Sequence, residues 1–254
     1  MRVRAKKELG QHFLVDQNIL RVIERLAELA PDDVVLEIGP GLGVLTRFLA
    51  DRVALVHAVE VDHSLEPHLP ARDNVKVHWG DALRLDLAAL EPPARKVVAN
   101  LPYNVATPIV VESLDGLPSV EFWCVMVQLE VADRFFARPR TKAYGAVSVL
   151  VQLAAERVGF HSVSREVFRP RPKVDSALVA FRRTRLPDNY TLVKRVVGAG
   201  FAHRRKTLPN SLALAGVATR EAGEAALRAL GRDAATRAEA LAPAEFVALT
   251  EALA

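Results

Sequence analysis

The sequence predicts an α/β fold, in which a doubly wound parallel sheet is followed by a small all-helical domain. In the first part of the 254 residues, short apolar runs typical of buried strands alternate with segments of helical periodicity. Beyond about residue 186 the pattern becomes helical and rich in Ala, Leu and Arg. We therefore predict a large domain over residues 1–186 and a helical domain over residues 187–254.

The elements of the large domain follow from this alternation. A first helix begins after Asp16-Gln17-Asn18, whose polar side chains suit a helix cap, and it ends before Pro31. Five strands are predicted at Val34–Leu36, Ala54–Val59, Val75–Val77, Val97–Ala99 and Glu121–Val127. Helices are predicted through Leu45–Leu49, from Thr107 and over Glu130–Phe136.

The second half of the chain changes character. Tyr144–Ala155 is predicted to be a helix and Arg157–Val163 a strand, and a Pro-rich loop at 168–176 leads to a further strand at Ala177–Phe181. In the tail, helix breakers divide the pattern into several short helices, which we expect to pack as a small bundle. These breakers are Pro209, Gly216, Gly231 and Pro243.

Composition narrows the class of protein. Half of the residues are hydrophobic and no stretch approaches an uninterrupted membrane span, so we expect a soluble protein with a sizeable core. The basic start lacks the apolar segment of a signal peptide, and the single cysteine, Cys124, lies in an apolar run. We expect a cytoplasmic protein without disulfides and take it to be a monomer.

The histidines show no metal-ligand spacing, so we expect no metal; His57 and His78 are assigned to strands.

Basic residues are concentrated in one part of the chain. Residues 134–206 contain 17 Lys and Arg against four acidic residues, a net charge of +13. The remainder carries 17 basic and 26 acidic residues, a net charge of −9. An isolated charge run is usually a solvated face. A bias over 73 residues is more typical of a surface that binds a polyanion, most simply nucleic acid.

A glycine turn, Gly39-x-Gly41-x-Gly43, connects the first strand of the sheet to a helix. The backbone of such a turn can approach a ligand closely, which suits dinucleotides and S-adenosylmethionine alike. Two details favour S-adenosylmethionine. The spacing differs from the G-x-G-x-x-G that holds a pyrophosphate. Glu37, just before the turn, would repel a pyrophosphate but attract the ammonium group of S-adenosylmethionine.

Two acidic residues follow the next two strands of the sheet. Glu60 suits a bidentate grip on ribose hydroxyls, and Asp81 can accept a hydrogen bond from the adenine amine of the same cofactor. Each alone could be a solvated acid at the end of a strand. Acids at consecutive strand ends of one sheet face the same crevice, however, and this coincidence favours an adenosyl site.

The fourth strand of the sheet leads into Asn100-Leu101-Pro102-Tyr103. The Asn100 amide oxygen and the Leu101 carbonyl can accept hydrogen bonds from an exocyclic amino group, Pro102 adds no competing donor, and Tyr103 offers a face for stacking. This set suits the amino group of a planar base; a strand-ending turn with a structural tyrosine is the alternative. If both N–H groups of such an amine are held, its lone pair is favoured to point at the cofactor's methyl group.

Seven motifs, in order, resemble those of the ribosomal RNA adenine dimethyltransferases. They are Gln11-His12-Phe13-Leu14, Glu37-Ile38-Gly39-Pro40-Gly41, Glu60-Val61-Asp62, Gly80-Asp81-Ala82, Asn100-Leu101-Pro102-Tyr103-Asn104, Phe168-x-Pro170-x-Pro172-Lys173-Val174-Asp175-Ser176 and Arg204-Arg205-Lys206-Thr207-Leu208. The last two point to the small-subunit branch, the KsgA/RsmA type. The resemblance runs from about Lys6 to Leu212, and the tail is similar only in being helical. One departure is Leu129, where family members commonly carry a lysine.

The resemblance implies a Rossmann-like methyltransferase domain over residues 1–186 that binds S-adenosyl-L-methionine, and a helical domain over 187–254 that binds RNA or the ribosome. The implied reaction is dimethylation of the N6 amines of two adjacent adenines in the 3′-terminal hairpin loop of small-subunit (16S) ribosomal RNA, within an immature small subunit. Cofactor contacts are expected at Gln11, His12, Leu14, Glu37, Gly39, Gly41, Glu60, Val61, Asp81, Ala82 and Asn100. The expected catalytic set is Asn100, Leu101, Pro102, Tyr103 and Phe168.

In this set, Tyr103 and Phe168 would sandwich the base, and a purely structural Phe168 in the core is the alternative. Three basic clusters are assigned to backbone phosphates of the RNA, which provide affinity and register but little sequence information. They are Arg169, Arg171 and Lys173; Arg182, Arg183 and Arg185; and Arg204, Arg205 and Lys206.

Three other functions stay open on the sequence. The nearest is the same chemistry on large-subunit RNA, as in macrolide-resistance methyltransferases; the Arg204–Leu208 segment and the wording of the Asn100–Tyr103 motif speak against it. A non-catalytic ribosome assembly factor is opposed by the intact Asn100–Tyr103 motif. A nicotinamide oxidoreductase would leave the basic segment unexplained, and no residue pair suggests hydride chemistry.

Overall fold

The structure, a computed structural model, describes Lys6 and residues 9–254. The remainder of the basic start, residues 1–5 and 7–8, lies outside the described residues. The described residues contain nine strands: β1 (Phe13–Leu14), β2 (Val34–Ile38), β3 (Leu55–Glu60), β4 (Val75–Trp79), β5 (Lys96–Asn100), β6 (Phe122–Gln128), β7 (Ala155–Val163), β8 (Phe168–Arg169) and β9 (Ser176–Arg183). Each predicted strand is present with bounds shifted by at most two residues, whereas β1 and β8 were not predicted.

The same residues contain nine α-helices. They are α1 (Gln17–Leu26), α2 (Val44–Ala50), α3 (Ala106–Gly116), α4 (Leu129–Phe135), α5 (Ala146–Ala154), α6 (Tyr190–Ala202), α7 (Leu208–Leu214), α8 (Arg220–Ala229) and α9 (Pro243–Ala252). None of these helices is long and apolar enough to cross a membrane.

The chain divides into two compact units. The first comprises the chain up to Ala132 together with Arg157–Arg183, and the second comprises Asp133–Glu156 and Thr184–Ala254. The predicted boundary at residue 186 lies close to the return of the chain to the second unit at Thr184. The predicted boundary does not place residues 133–156 in the second unit. They belong there because α5 carries five buried residues and packs against α6 and α9. An apolar helix must bury its face against another element, here the tail helices.

Seven strands form one sheet in the order β4-β3-β2-β5-β6-β9-β7. The strands β4, β3, β2, β5 and β6 are mutually parallel, which confirms the doubly wound prediction, and β9 runs antiparallel to β6. The strand order reverses at β2, which lies between β3 and β5. Open α/β sheets bind ligands at such a switch point, outside the carboxyl ends of the strands.

Local signals explain how the first unit is built. Asp16 caps α1, because its carboxylate accepts hydrogen bonds from the backbone N–H groups of Asn18 (2.7 Å) and Ile19 (3.4 Å). A cap of this kind stabilises a helix by about 1 kcal/mol. The helix buries Ile19, Leu20 and Ile23 in the core beside the sheet. The capped helix begins three residues after the Gln11–Leu14 motif. Packing of this helix in the core therefore helps to position the motif.

His57 and His78 lie on β3 and β4, as predicted. His57 is fully buried; its Nε2 lies 2.8 Å from the Pro92 carbonyl oxygen and its Nδ1 lies 3.0 Å from His78 Nε2. Since a carbonyl only accepts, His57 donates through Nε2 and accepts from His78 through Nδ1. Burial lowers the pKa of both rings. The described part of the chain holds no group of three or more potential metal-ligating side chains.

The second unit is helical, as predicted for the tail. Pro209 and Pro243 lie in the first turns of α7 and α9, where proline is compatible with a helix, and Gly216 and Gly231 follow α7 and α8 with positive φ. Fully buried Tyr144 donates from its hydroxyl to the Leu241 carbonyl (2.8 Å). These contacts join the 133–156 segment to the tail within one core.

Candidate active site

Two adjoining cavities lie at the carboxyl edge of the sheet. The first is lined by residues that include Gln11, His12, Leu14, Glu37, Gly39, Gly41, Glu60, Val61, Asn100, Leu101, Pro102 and Tyr103. The second is lined by residues that include Gly39, Glu60, Val61, Asp81, Ala82 and Pro102. Five lining residues of the second cavity, Leu9, Gly39, Glu60, Val61 and Pro102, are shared with the first, so the two form a continuous cleft. Of the predicted cofactor and catalytic residues, Phe168 alone lines neither cavity.

The Asn100 side chain has a fixed orientation. Its Nδ2 donates to the His12 carbonyl oxygen at 3.0 Å, so its Oδ1 is directed away from that contact. Oδ1 is buried and has no hydrogen-bond partner among the described residues. A buried acceptor without a partner costs roughly 1–3 kcal/mol. The site therefore holds an acceptor that a donor in the first cavity would satisfy.

Tyr103 is held by two contacts. Its hydroxyl is hydrogen bonded to Ser176 Oγ at the start of β9, and its ring lies 5.2 Å from the His12 ring at an interplanar angle of 32°. The His12 ring is itself fixed by a 2.7 Å hydrogen bond between Nδ1 and the Pro170 carbonyl oxygen. Burial raises the pKa of Tyr103, so its phenol stays protonated near neutral pH. The tyrosine thus presents a neutral ring in a defined position.

Ser176 was not among the predicted site residues, and we expect it to position Tyr103. Replacing Ser176 with Ala removes the partner of the Tyr103 hydroxyl, so kcat/KM for methyl transfer should fall about tenfold, the cost of one hydrogen bond of about 1.4 kcal/mol. Ser176→Thr, which keeps a hydroxyl, should recover most of the loss. A Ser176→Ala protein with a lower melting temperature but unchanged kcat/KM would assign Ser176 a purely structural role.

Glu37 is the last residue but one of β2, beside the glycine turn. The residue is 1% exposed, and its Oε2 has no hydrogen-bond partner among the described residues. Burial raises the pKa of Glu37 to about 8, and the carboxylate of Glu60 acts in the same direction. The Thr46 hydroxyl and the Arg47 guanidinium oppose this shift without cancelling it. Glu37 is thus a buried acid that a cation in the first cavity would ionise.

The glycine turn is required by close packing and by its backbone conformation. Gly39 and Gly41 have φ of +74° and +59°, and a Cβ on them would lie 3.0 Å from the Pro102 ring and 2.9 Å from the Phe13 ring. The Gly41 N–H donates to Glu60 Oε2 at 3.1 Å. The turn therefore packs against the motifs that contain Phe13, Glu60 and Pro102. The sequence predicted only that its backbone could lie close to a ligand.

Glu60 is 5% exposed and accepts three backbone hydrogen bonds, from Gly41, Val61 and Asp62. A carboxylate has about four acceptor positions, so capacity remains toward the cleft that it lines. Burial raises the pKa of Glu60, and the backbone hydrogen bonds oppose that shift. The carboxylate is thus held in one orientation at the junction of the two cavities.

Asp62 is a further residue that the sequence prediction missed. Its Oδ1 pairs with Lys6 Nζ at 2.7 Å, and its Oδ2 accepts from Gln11 Nε2 at 3.0 Å. Although burial acts in the opposite direction, the hydrogen bonds from Lys6, Ser64 and Gln11 hold the pKa of Asp62 far below its usual range. Asp62 therefore ties the segment before β1 to the end of β3 beside the cleft.

Asp81 and Ala82 line the second cavity, after β4. Asp81 Oδ1 accepts from the Leu83 N–H at 3.0 Å, and Oδ2 lies 3.6 Å from the guanidinium of Arg84. The Asp81 side chain is 46% exposed, so it is accessible from the cavity. This position is compatible with an acceptor for an adenine amine.

Phe168 is not where the sandwich prediction requires it. Its side chain is fully buried in the hydrophobic core with Leu14, Ile19 and Leu178, and it lies on β8, which pairs with β1 through Leu14↔Phe168. In this structure the ring offers no face to a base, which favours the core alternative. The pairing does bring the Gln11–Leu14 motif beside the Pro-rich loop, although 158 residues separate His12 from Pro170.

The basic residues of the first unit are partly engaged within the protein. Arg171 pairs with Glu166 at 2.8 Å, and the Arg169 guanidinium donates to the carbonyls of Glu166 and Phe168. Lys173 is exposed. Arg183 corrects a prediction: its guanidinium donates to the carbonyls of Leu114, Leu117 and Val120, and it therefore holds the end of α3.

The third predicted cluster lies in the second unit, between α6 and α7. Arg204, Arg205 and Lys206 are exposed. Arg204 donates to the Tyr144 carbonyl at 3.4 Å and lies 4.0 Å from Glu239 Oε2. These exposed cations are compatible with a polyanion surface.

Comparison with known proteins decides the family. The model of the family described as ribosomal RNA adenine dimethylase matches residues 2–254. The chain belongs to this family. It is 51% identical over 251 residues to the ribosomal RNA small subunit methyltransferase A of Rubrobacter xylanophilus, covering 97% of this chain and 94% of the relative. It is 45% identical to the protein of the same name from Thermobifida fusca, covering 98% and 90%.

Solved structures of the dimethylase family and its neighbours are also similar. A dimethyladenosine transferase from Plasmodium falciparum has a TM-score of 0.76 at 23% identity, covering 94% of this chain and 96% of that one, which shows the fold. The 23S rRNA methyltransferase ErmE has a TM-score of 0.65 at 31% identity, covering 95% and 99%. As a ribosomal RNA adenine dimethylase, the protein is an S-adenosylmethionine-dependent enzyme with a Rossmann-like sheet.

The cleft of this dimethylase fits its cofactor. The unpartnered Oε2 of Glu37 suits the ammonium group of S-adenosylmethionine, and Glu60 and Asp81 offer acceptors for ribose hydroxyls and an adenine amine along the same cleft. Asn100, whose buried Oδ1 has no partner among the described residues, lines the first cavity together with Tyr103. These acceptors are thus compatible with the donor groups of both the cofactor and a target amine.

Proposed function

We propose that the protein dimethylates the N6 amines of two adjacent adenines in the 3′-terminal hairpin loop of small-subunit (16S) ribosomal RNA, during assembly of that subunit. The observation that carries this proposal is the buried Oδ1 of Asn100, which has no partner among the described residues and whose amide is oriented by the His12 carbonyl. An amino group is the donor that this acceptor, with the Leu101 carbonyl beside it, suits best.

The chain's own groups act mainly by positioning the amine. When bound, S-adenosylmethionine supplies a methyl group on a sulfonium. Asn100 Oδ1 and the Leu101 carbonyl each accept one N–H of the adenine amine, which weakens delocalisation of its lone pair into the ring and aims that pair along the line of displacement. Tyr103 supports one face of the base. The N6–C bond would form as the methyl–sulfur bond breaks, with the bonding pair leaving on sulfur as a neutral thioether. The positively charged amine then loses a proton to solvent, so no strong base is required of the protein.

The cofactor is held by the residues that line the cleft. Glu37 would pair with its ammonium group, Glu60 would accept from the ribose and Asp81 from the adenine amine, and Val61 and Ala82 would contact the adenine. Gln11, His12 and Leu14 close the methionine end, and Gly39 and Gly41 let the backbone approach. Extrusion of the target base from its stack is easier in a hairpin loop, where it is already unpaired.

The protein's partners follow from this substrate. We assign residues 1–186, apart from the 133–156 segment, to the cofactor and the chemistry. We assign residues 187–254, together with that segment, to RNA and the immature small subunit. Arg169, Arg171, Lys173, Arg204, Arg205 and Lys206 contact backbone phosphates. Because Arg169, Arg171 and Arg204 also bond within the chain, Lys173, Arg205 and Lys206 should contribute most. The enzyme acts as a monomer in the cytoplasm, where immature subunits are assembled.

The second candidate is the same reaction on large-subunit RNA, because ErmE is 31% identical. The small-subunit relatives are more similar, at 51% and 45% identity. A direct assay separates the two. The protein and its cofactor are incubated with immature small subunits or with large-subunit RNA, and the RNA is analysed by mass spectrometry. We expect two dimethyladenosines in the small-subunit RNA; methylation confined to large-subunit RNA would reverse the assignment.

A further inference from the structure

A basic loop in the second unit belongs to none of the three clusters described above. Residues 134–145 contain four basic residues and no acidic one. Between α4 and α5, the side chains of Arg138, Arg140 and Lys142, here named the 138–142 loop cations, are exposed. Arg138 and Lys142 have no ion-pair partner among the described residues. Two of these cations are therefore available to an external anion.

The loop that carries these cations is fixed by its backbone. The Arg140 N–H donates to the Glu239 carbonyl at 2.8 Å, although Arg140 has a φ of 66°, in a region that non-glycine residues rarely adopt. The hydroxyl and N–H of Thr141 both donate to the Arg138 carbonyl. Buried Tyr144 anchors the end of the loop through Leu241. A fixed loop loses less conformational entropy on binding than a mobile one.

The loop adjoins the 204–206 cluster within the second unit. Arg204 donates to the carbonyl of Tyr144, at the end of the loop, and lies 4.0 Å from the Glu239 carboxylate, whose own carbonyl holds Arg140. Residues of both segments therefore contact Tyr144 and Glu239. Lys206 and Arg220 continue the basic surface around a shallow depression next to α7. These cations lie on one connected surface.

We propose that the 138–142 loop cations bind RNA backbone phosphates and extend the 204–206 surface, at a place other than the reactive cleft. The identity of the polyanion rests on the proposed function. RNA fits better than an acidic protein, because the exposed side chains of the loop are cationic and polar. Protein interfaces place aromatic and apolar groups at their centre, whereas nucleic-acid interfaces are more strongly positive. The loop residues do not line the cleft, so they add affinity without touching the target base.

Salt dependence of RNA binding tests this assignment. Arg138→Gln/Lys142→Gln is compared with the wild type and with Arg195→Gln/Arg228→Gln, which removes the same charge from exposed positions on α6 and α8. Each protein, saturated with cofactor, is titrated with a transcript of the 3′-terminal hairpin and its stem over about 50–300 mM salt. We expect the slope of log K against log salt to fall by about 1.4–1.8 in the loop variant and little in the control.

A loop variant with the slope of the wild type would overturn the proposal, and so would an equal fall in the control, which would indicate only a general charge effect. The binding titration does not use methyl transfer as its readout. A wild type that binds the transcript with a steep salt slope but transfers no methyl group to immature small subunits would therefore refute the proposed function and leave the loop surface intact. At saturating RNA, the loop variant should keep its kcat and show a raised KM.

Discussion

Replacing Asn100 with Ala should lower the rate of methyl transfer by about 10²–10³-fold, the loss seen when one pre-organised hydrogen-bonding group is removed from an active site. The physical reason is that Oδ1 is buried, lacks a partner among the described residues and is oriented by the Nδ2 bond to the His12 carbonyl. Without it, one N–H of the amine loses its acceptor and the lone pair is no longer aimed at the methyl group. Single-turnover rates at saturating RNA and cofactor measure this effect.

Two comparisons make the Asn100 result interpretable. Asn189→Ala, the same substitution at the amino end of α6, should leave the rate close to that of the wild type. Asn100→Asp keeps an acceptor but cannot donate to the His12 carbonyl, so we expect a rate between those of the wild type and Asn100→Ala. The apparent affinity of Asn100→Ala for the cofactor, measured from cofactor-induced stabilisation, should fall severalfold at most. An Asn100→Ala enzyme with full activity would exclude the amide as the acceptor of the target amine.

The residues of the cleft could be found from sequence because parallel strands share an edge. Glu37, Glu60, Asp81 and Asn100 each lie at or just after the carboxyl end of a strand, and strand alternation alone places those ends together. The local pattern, an apolar run followed by a polar residue or a glycine turn, can be recognised without knowledge of any tertiary contact. For the same reason the parallel strands were predicted to within two residues.

Contacts between distant segments carry no such local signal. The Asn100 amide is oriented by a carbonyl 88 residues away, and Tyr103 is held by a serine 73 residues away. Phe168 resembles a stacking residue in sequence, yet its pairing with Leu14 places it in the core. Arg183 is indistinguishable in sequence from a phosphate ligand, although it caps carbonyls at the end of α3. In each case the role is set by a tertiary partner.

Binding of S-adenosylmethionine at pH 7 should release a proton from most of the Glu37 side chains. Burial raises the pKa of this carboxyl to about 8, so it is mostly protonated in the free protein at this pH, and an ammonium group beside it favours the ionised form. The cofactor's own ammonium, with a pKa of about 7.7–8.0, is still mostly charged there. Calorimetry in two buffers of different ionisation enthalpy measures the proton count. Glu37→Gln should abolish this release and weaken binding by about tenfold or more, since a buried charged partner is lost.

The free protein provides an independent check of the same group. Because the folded-state pKa of Glu37 is raised to about 8 from 4.5, the folded state binds more protons than the unfolded state between these values. The contribution of Glu37 to the free energy of unfolding therefore falls as pH rises from about 4.5 to 8, and Glu37→Gln should flatten that part of the profile. Glu60, which faces Glu37 and also has a raised pKa, contributes in the same direction and stays in both proteins. The difference between the profiles of the wild type and Glu37→Gln thus reports on Glu37. Identical profiles, with equal proton release on cofactor binding, would show that Glu37 is already ionised in the free protein and that another group binds the ammonium.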